Sequence, residues 1–159
     1  MISRISIDFE EWYHSYPTSK WCNYSSNIEE NTYSVLKLLD KLQIHANFFC
    51  VGYVANRYPH LIKLIFDKGH TIDSHSYWHK ILSKHDMKSF EEDLKMSKYV
   101  LENIIGKPVL GYRLPEFSFN IENEWFYDLL IKYGFKYDSS ILYKGFNVHY
   151  ESIIKYNKL

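Results

Sequence analysis

Two pairs of side chains have types and spacings that could do chemistry. His75 and His79, in the polar end of the stretch from Gly69 to His79, are four positions apart. Four residues is about one helical turn, so a tip that coils there aims both imidazoles the same way, as a protein presents two neutral nitrogens to one metal ion. Asp8 and Glu10, in Asp8-Phe9-Glu10-Glu11, are two apart, which on a strand places both carboxylates on one face while Phe9 turns away. A catalytic zinc site takes three protein ligands and keeps one position for water. Two histidines and one carboxylate make that set; a chance pair on a solvated surface is the alternative in a chain with eight histidines.

These groups need elements to carry them. Ile2 to Phe9 alternates like a strand and delivers Asp8 and Glu10 at its carboxyl end. Trp12 to Asn27 reads as a long aromatic loop over the same end. Ile28 to Leu42 has helical spacing in Tyr33, Val35, Leu36, Leu38, Leu39 and Leu42, with Asn27 as its cap. Ala46 to Val51 reads as a buried strand, and Val54 to Lys68 as a helix kinked or restarted at Pro59 and stopped by Gly69. His70 to Ser74 is a third strand. Ser89 to Ile105 is a helix with Phe90, Leu94, Tyr99, Val100, Leu101 and Ile104 as its inward stripe. Val109 to Tyr112, a helix from Glu122 to Tyr133, and Phe135 to Tyr137 complete the series.

Alternating strands and helices imply an α/β fold of parallel strands with right-handed crossovers. In such folds active sites form at the carboxyl ends of the strands. Asp8, Glu10, His75, His79, Arg113 and Asp138 all fall there.

At 159 residues the chain makes one domain, and its 19 acidic and 19 basic residues argue against nucleic acid or an anionic membrane as the main partner. The 15 Tyr, 10 Phe and 4 Trp suit a core and, more weakly, a carbohydrate site. Cys22 and Cys50 are expected to be free thiols. With no room before the first strand for a leader and no apolar run long enough to span a bilayer, the expectation is a cytoplasmic protein.

Taken in order, these residues resemble the polysaccharide deacetylase family (carbohydrate esterase family 4, the NodB-homology domain). Asp8 with Glu10 is similar to its first motif, His75-Ser76-Tyr77-Trp78-His79 to its second, and Arg113-Leu114-Pro115-Glu116-Phe117 to its third. Tyr137 to Ser140 resembles the start of the fourth. Ser6 to Trp12 and Gly111 to Ser118 are most similar to the subgroup associated with exopolysaccharide export. The resemblance covers Ile5 to about Ile141.

It implies a distorted (β/α) barrel, here incomplete with about five parallel strands, over residues 1–141, followed by a tail over 142–159. It implies a hydrolase that removes N-acetyl groups from amino sugars in a polysaccharide or peptidoglycan. Asp8 is then the general base, oriented by Arg113, and Glu10, His75 and His79 bind a divalent metal, zinc first, with nickel, cobalt or manganese as options. Glu11 stands as the alternative carboxylate. Pro115, Phe117, Tyr77 and Trp78 are the expected substrate-binding residues.

The family's fifth motif, a Leu-His pair whose histidine serves as general acid, has no match, since His149 lacks the preceding Leu and comes too early. The expectation is a truncated or split deacetylase, marginally stable alone, for which a second chain or an oligomer would complete the barrel. Two other functions compete with the deacetylase: a non-catalytic remnant that binds carbohydrate or a partner protein, and a hydrolase of cyclic imides or ureides.

Overall fold

A computed structural model describes residues 5–120, 123 and 125–141. The expected tail and His149 lie outside the described residues.

Five parallel strands form one sheet in the order β1-β2-β3-β4-β5, where β1 is Ile5–Phe9, β2 Ala46–Cys50, β3 Thr71–Ser74, β4 Gly111–Tyr112 and β5 Tyr137–Asp138. Each strand pairs with the next one in the chain, in register Asp8 to Phe49 to Asp73 and Tyr112 to Asp138. Helices fill the connections: α1 Ile28–Leu42, α2 Gly52–Arg57, α3 Pro59–Asp67, α4 Met87–Ile105 and α5 Trp125–Lys132. A parallel sheet that advances one strand at a time has no switch point, so it is the start of a barrel rather than a doubly wound sheet.

Side chains alternate across the pleat and sort into two chemistries. Phe9, Phe48, Cys50, Ile72 and Tyr112 turn outward into the core under the helices with Val54, Leu61, Ile65, Phe90, Leu94 and Phe126. The other face, apart from Phe49, is polar. Asn47 donates to Asp73 Oδ2 at 3.1 Å and to Tyr137 Oη at 3.0 Å, and the Gly111 amide donates to Asp73 Oδ1 at 2.9 Å. Gly111 has no alternative there, because a Cβ would stand 2.3 Å from the Tyr137 ring.

The Pro59 interruption divides the expected second helix in two: α2 ends at Arg57, and α3 starts on Pro59, where a missing N–H costs nothing. α4 starts two residues earlier than its periodicity indicates, because Asp86 and Ser89 form a reciprocal capping box. Tyr99 is not inward: it is 68% exposed, opposite the buried row Phe90, Leu94, Ser97, Leu101 and Ile105. On α1 only Ile28, Thr32, Leu36 and Leu39 are buried, and Tyr33, Leu38 and Leu42 face outward. Both cysteines are free. Among the described residues no helix is long and apolar enough to cross a membrane.

Candidate active site

All five strands point their carboxyl ends to one edge, and the candidate residues meet there. Asp8 comes from the end of β1 and Glu10 from just beyond it. His75 follows β3 directly, and Arg113 follows β4.

Arg113 is almost fully buried and holds Asp8: Nη1 donates to Asp8 Oδ1 at 2.6 Å, while Nη2 donates to Ser6 Oγ at 2.9 Å and Ser139 Oγ at 2.8 Å. Its guanidinium lies 4.0 Å from the Phe49 ring centre and 5.3 Å from that of Phe117. A planar fork that bonds and stacks at once fixes the carboxylate in direction. The free oxygen, Asp8 Oδ2, stands 3.9 Å from His75 Nε2.

His75 is buried, and its Nδ1–H donates to the Arg113 carbonyl at 2.8 Å. That bond fixes the tautomer and leaves the Nε2 lone pair facing the site. Burial lowers its pKa, against the pull of Asp8, which favours the neutral ligand form. The His79 ring centre is 5.2 Å from that of His75, and its Nε2 is 2.6 Å from Glu10 Oε2. Burial would raise the Glu10 carboxyl, but the hydrogen bond to His79 and the charges of His79, His75 and His14 together outweigh it, so the net shift is downward. Glu10, His75 and His79 each offer one ligand atom, all within 4.8 Å of one another.

Their chemistry fits a divalent cation: two imidazole nitrogens and one carboxylate oxygen. Beyond its contact with His79 Nε2, Glu10 Oε2 is buried with no hydrogen-bond partner among the described residues, and a cation in the cluster would take up its free lone pair. Glu11 is not part of the cluster; its carboxylate is turned away onto the Ser26 hydroxyl.

The two histidines converge without a helix, contrary to the one-turn expectation. Ser76 and His79 have φ of 67° and 50°, so the segment is a left-handed loop. Asp93 on α4, buried at 3% exposure, accepts the Tyr77 amide at Oδ1 (2.8 Å) and the Trp78 amide at Oδ2 (3.0 Å). The Gly52 and Tyr53 amides at the start of α2 donate to the Ser76 and Tyr77 carbonyls at 2.9 and 3.0 Å. Asp93 escaped the sequence reading, although a lone carboxylate on the apolar side of a helix, four residues before Ser97, was the signal for it.

A cleft of about 500 Å³ opens beside the cluster, lined among others by His14, Tyr16, Trp21, Trp78, His79 and Glu116. Of the four expected substrate-binding residues, Trp78 lies on its wall. Tyr77 is buried, its ring packed on Gly52 at a distance that admits no Cβ. Pro115 is buried in a tight turn, and Phe117 lies beside Arg113. The Trp12 to Asn27 loop does cover this end of the sheet, and it brings His14, a second residue the sequence did not single out. Burial, reinforced by the charge of His79, lowers its pKa to about 4.

Residues 10–137 match the family model described as polysaccharide deacetylase. A peptidoglycan deacetylase of Helicobacter pylori is 34% identical over 117 residues, 73% of this chain and 39% of that protein. A peptidoglycan-N-acetylglucosamine deacetylase of Bacillus cereus is 33% identical over 73 residues, 44% of this chain and 26% of that protein. The chain thus spans two fifths or less of the length of these relatives. In fold it is similar to a family 4 carbohydrate esterase from Streptomyces lividans, with a TM-score of 0.67 at 18% identity over 89% of this chain and 62% of the other. The match over most of its length, on a sheet of the same architecture, makes this chain a member of the polysaccharide deacetylase family.

Proposed function

We propose that the chain carries the catalytic centre of a metal-dependent hydrolase that removes N-acetyl groups from amino sugars in a polysaccharide or peptidoglycan. The observation that carries this reading is the Asp8 carboxylate, held by Arg113 at 2.6 Å with its free oxygen 3.9 Å from His75 in the Glu10, His75 and His79 cluster.

Glu10, His75 and His79 would hold the cation, zinc by donor type, with nickel, cobalt and manganese compatible. A cation there would supply Lewis acidity for the acetamide carbonyl and for water. Asp8 Oδ2 takes the proton of water as it attacks the carbonyl carbon. Arg113 keeps Asp8 aimed, and its own bonds to Ser6 and Ser139 hold the guanidinium in place. The C–N bond then breaks, and the departing amine needs one proton. Asp8 has just acquired one, so a single carboxyl balances the reaction: water adds across the amide, giving acetic acid and a free amine.

The test is metal content by mass spectrometry on wild type and His75→Ala, with amine release from chitooligosaccharide assayed on the same samples. Near-stoichiometric metal and amine release in wild type, both lost in the variant, are expected. A wild type without metal would refute the metal-dependent reading, and metal without amine release would refute the hydrolase.

A further inference from the structure

His14 is used by nothing described so far, yet it is one of the most constrained side chains in the molecule. It is 3% exposed, and its ring centre lies 4.3 Å from that of Trp21 and 5.9 Å from that of His79. The Glu11 amide donates to its Nδ1 at 3.3 Å. An imidazole nitrogen that accepts carries no proton, so in the neutral ring the proton is on Nε2. Nε2 has no hydrogen-bond partner among the described residues. A buried donor left unpaired is costly, and native structures keep few of them without a reason.

The same bond excludes the simplest alternative. A fourth metal ligand would need a lone pair on Nε2 and a proton on Nδ1, and the Glu11 amide points the wrong way for that. A buried, unpaired N–H is instead suited to an acceptor oxygen that arrives with a ligand.

The surroundings indicate what brings the oxygen. His14 lines the cleft together with Trp78 and Tyr16, residues that are 40% and 49% exposed. Trp78 is braced from behind by Tyr53, ring centres 5.5 Å apart. A flat apolar face beside a directed donor suits a sugar, whose rings carry C–H faces and oxygen edges. The cleft volume of about 500 Å³ is in the range of small-molecule sites.

We propose that His14 is a substrate-binding residue, and that this cleft is a sugar subsite in which His14 Nε2–H donates to an oxygen of the N-acetylated polymer while a sugar ring lies on Trp78. The proposal rests on the deacetylase reading for its substrate class, but binding can be read apart from turnover.

The experiment is calorimetric titration of the full chain with chitotetraose at pH 7, on wild type, His14→Phe, His14→Gln and Trp78→Ala, with metal content measured on each. Loss of one directed bond should weaken binding about fivefold to tenfold in His14→Phe. His14→Gln, which restores an N–H at similar reach, should return to within about twofold of wild type. Trp78→Ala truncates an exposed ring and should weaken binding with the fold intact. Metal content should be the same in all four. Wild type that fails to bind, His14→Phe or Trp78→Ala that binds like wild type, or metal lost on His14 substitution would overturn the proposal. Binding without amine release would leave it standing and refute the hydrolase reading instead.

Discussion

Asp93→Asn separates what holds the fold from what shapes the site. Asp93 accepts two consecutive amides, Tyr77 at 2.8 Å and Trp78 at 3.0 Å, midway between His75 and His79. Asparagine offers one oxygen and one NH₂, so one amide keeps a partner and the other meets a donor. A charged acceptor bond is worth about 1.5–3 kcal/mol and an unpaired buried donor costs about 1–3 kcal/mol, so a gross loss near 4 kcal/mol is the starting figure. Against it stands the cost of burying the carboxylate, which raises the Asp93 pKa despite both bonds. A neutral side chain removes that cost, and the net loss of stability should fall to about 1–2 kcal/mol.

The turn itself gains nothing from neutralisation. Ser76 and His79 sit at positive φ, a conformation that costs non-glycine residues about 1–2 kcal/mol each. The strain is therefore comparable with the tether that opposes it, and losing half the tether lets the turn relax and His79 move away from Glu10. Metal affinity, measured by competition with a chelating dye, should fall about 10–100-fold, as for other residues that orient ligands. The urea midpoint should move only modestly. A folded Asp93→Asn chain that binds metal within about twofold of wild type would refute the reasoning.

Three other outcomes follow from the geometry. Arg113→Lys keeps the charge but loses the fork to Asp8, Ser6 and Ser139; amine release should collapse with metal content retained, and urea denaturation should show a loss of about 2–4 kcal/mol. Gly52→Ala puts a Cβ 2.6 Å from Tyr77 Cδ2 and 3.1 Å from the Ser97 Cα, which is backbone and cannot swing aside, so a loss of about 1–3 kcal/mol is expected in the same assay. His85 has its pKa lowered by burial to about 4, so the unfolded chain binds this proton first as pH falls. Its contribution is complete above about pH 6.5 and is lost progressively toward pH 4. His85→Asn, compared with wild type by urea midpoint at pH 7 and 5 in chelator, should therefore lose less on acidification; an equal loss would refute the assignment.

Much of this was legible from residue order. Parallel strands with chemistry at their carboxyl ends follow from period and punctuation, and Asp8, Glu10, His75, His79 and Arg113 come together as their motifs indicate. Glu10 and Glu11 could not be told apart in sequence because adjacent carboxylates differ only in which way the chain turns after Phe9. The left-handed loop between the histidines was invisible for a related reason: its conformation is imposed from α4 by Asp93, and spacing alone suggested a helical turn. His14 is the converse case. It sits four residues after Glu10, but only the packing of Trp21 against it, and the amide on its Nδ1, make it more than a loop histidine.

β1 and β5 are the two margins of the described sheet, and no main-chain ladder joins them. One guanidinium reaches both, its Nη2 bonding Ser6 on β1 and Ser139 just after β5, while its Nη1 holds Asp8. Curvature and reactivity are thereby under the control of the same side chain. A change that frees the carboxylate also unbuckles the margins, and a change that flattens the sheet misdirects the carboxylate. Inactive variants at Arg113 therefore cannot be sorted into folding and chemical classes by activity alone. For the same reason, whatever bends this sheet more or less tightly also re-aims the Asp8 carboxylate from the far side of the molecule.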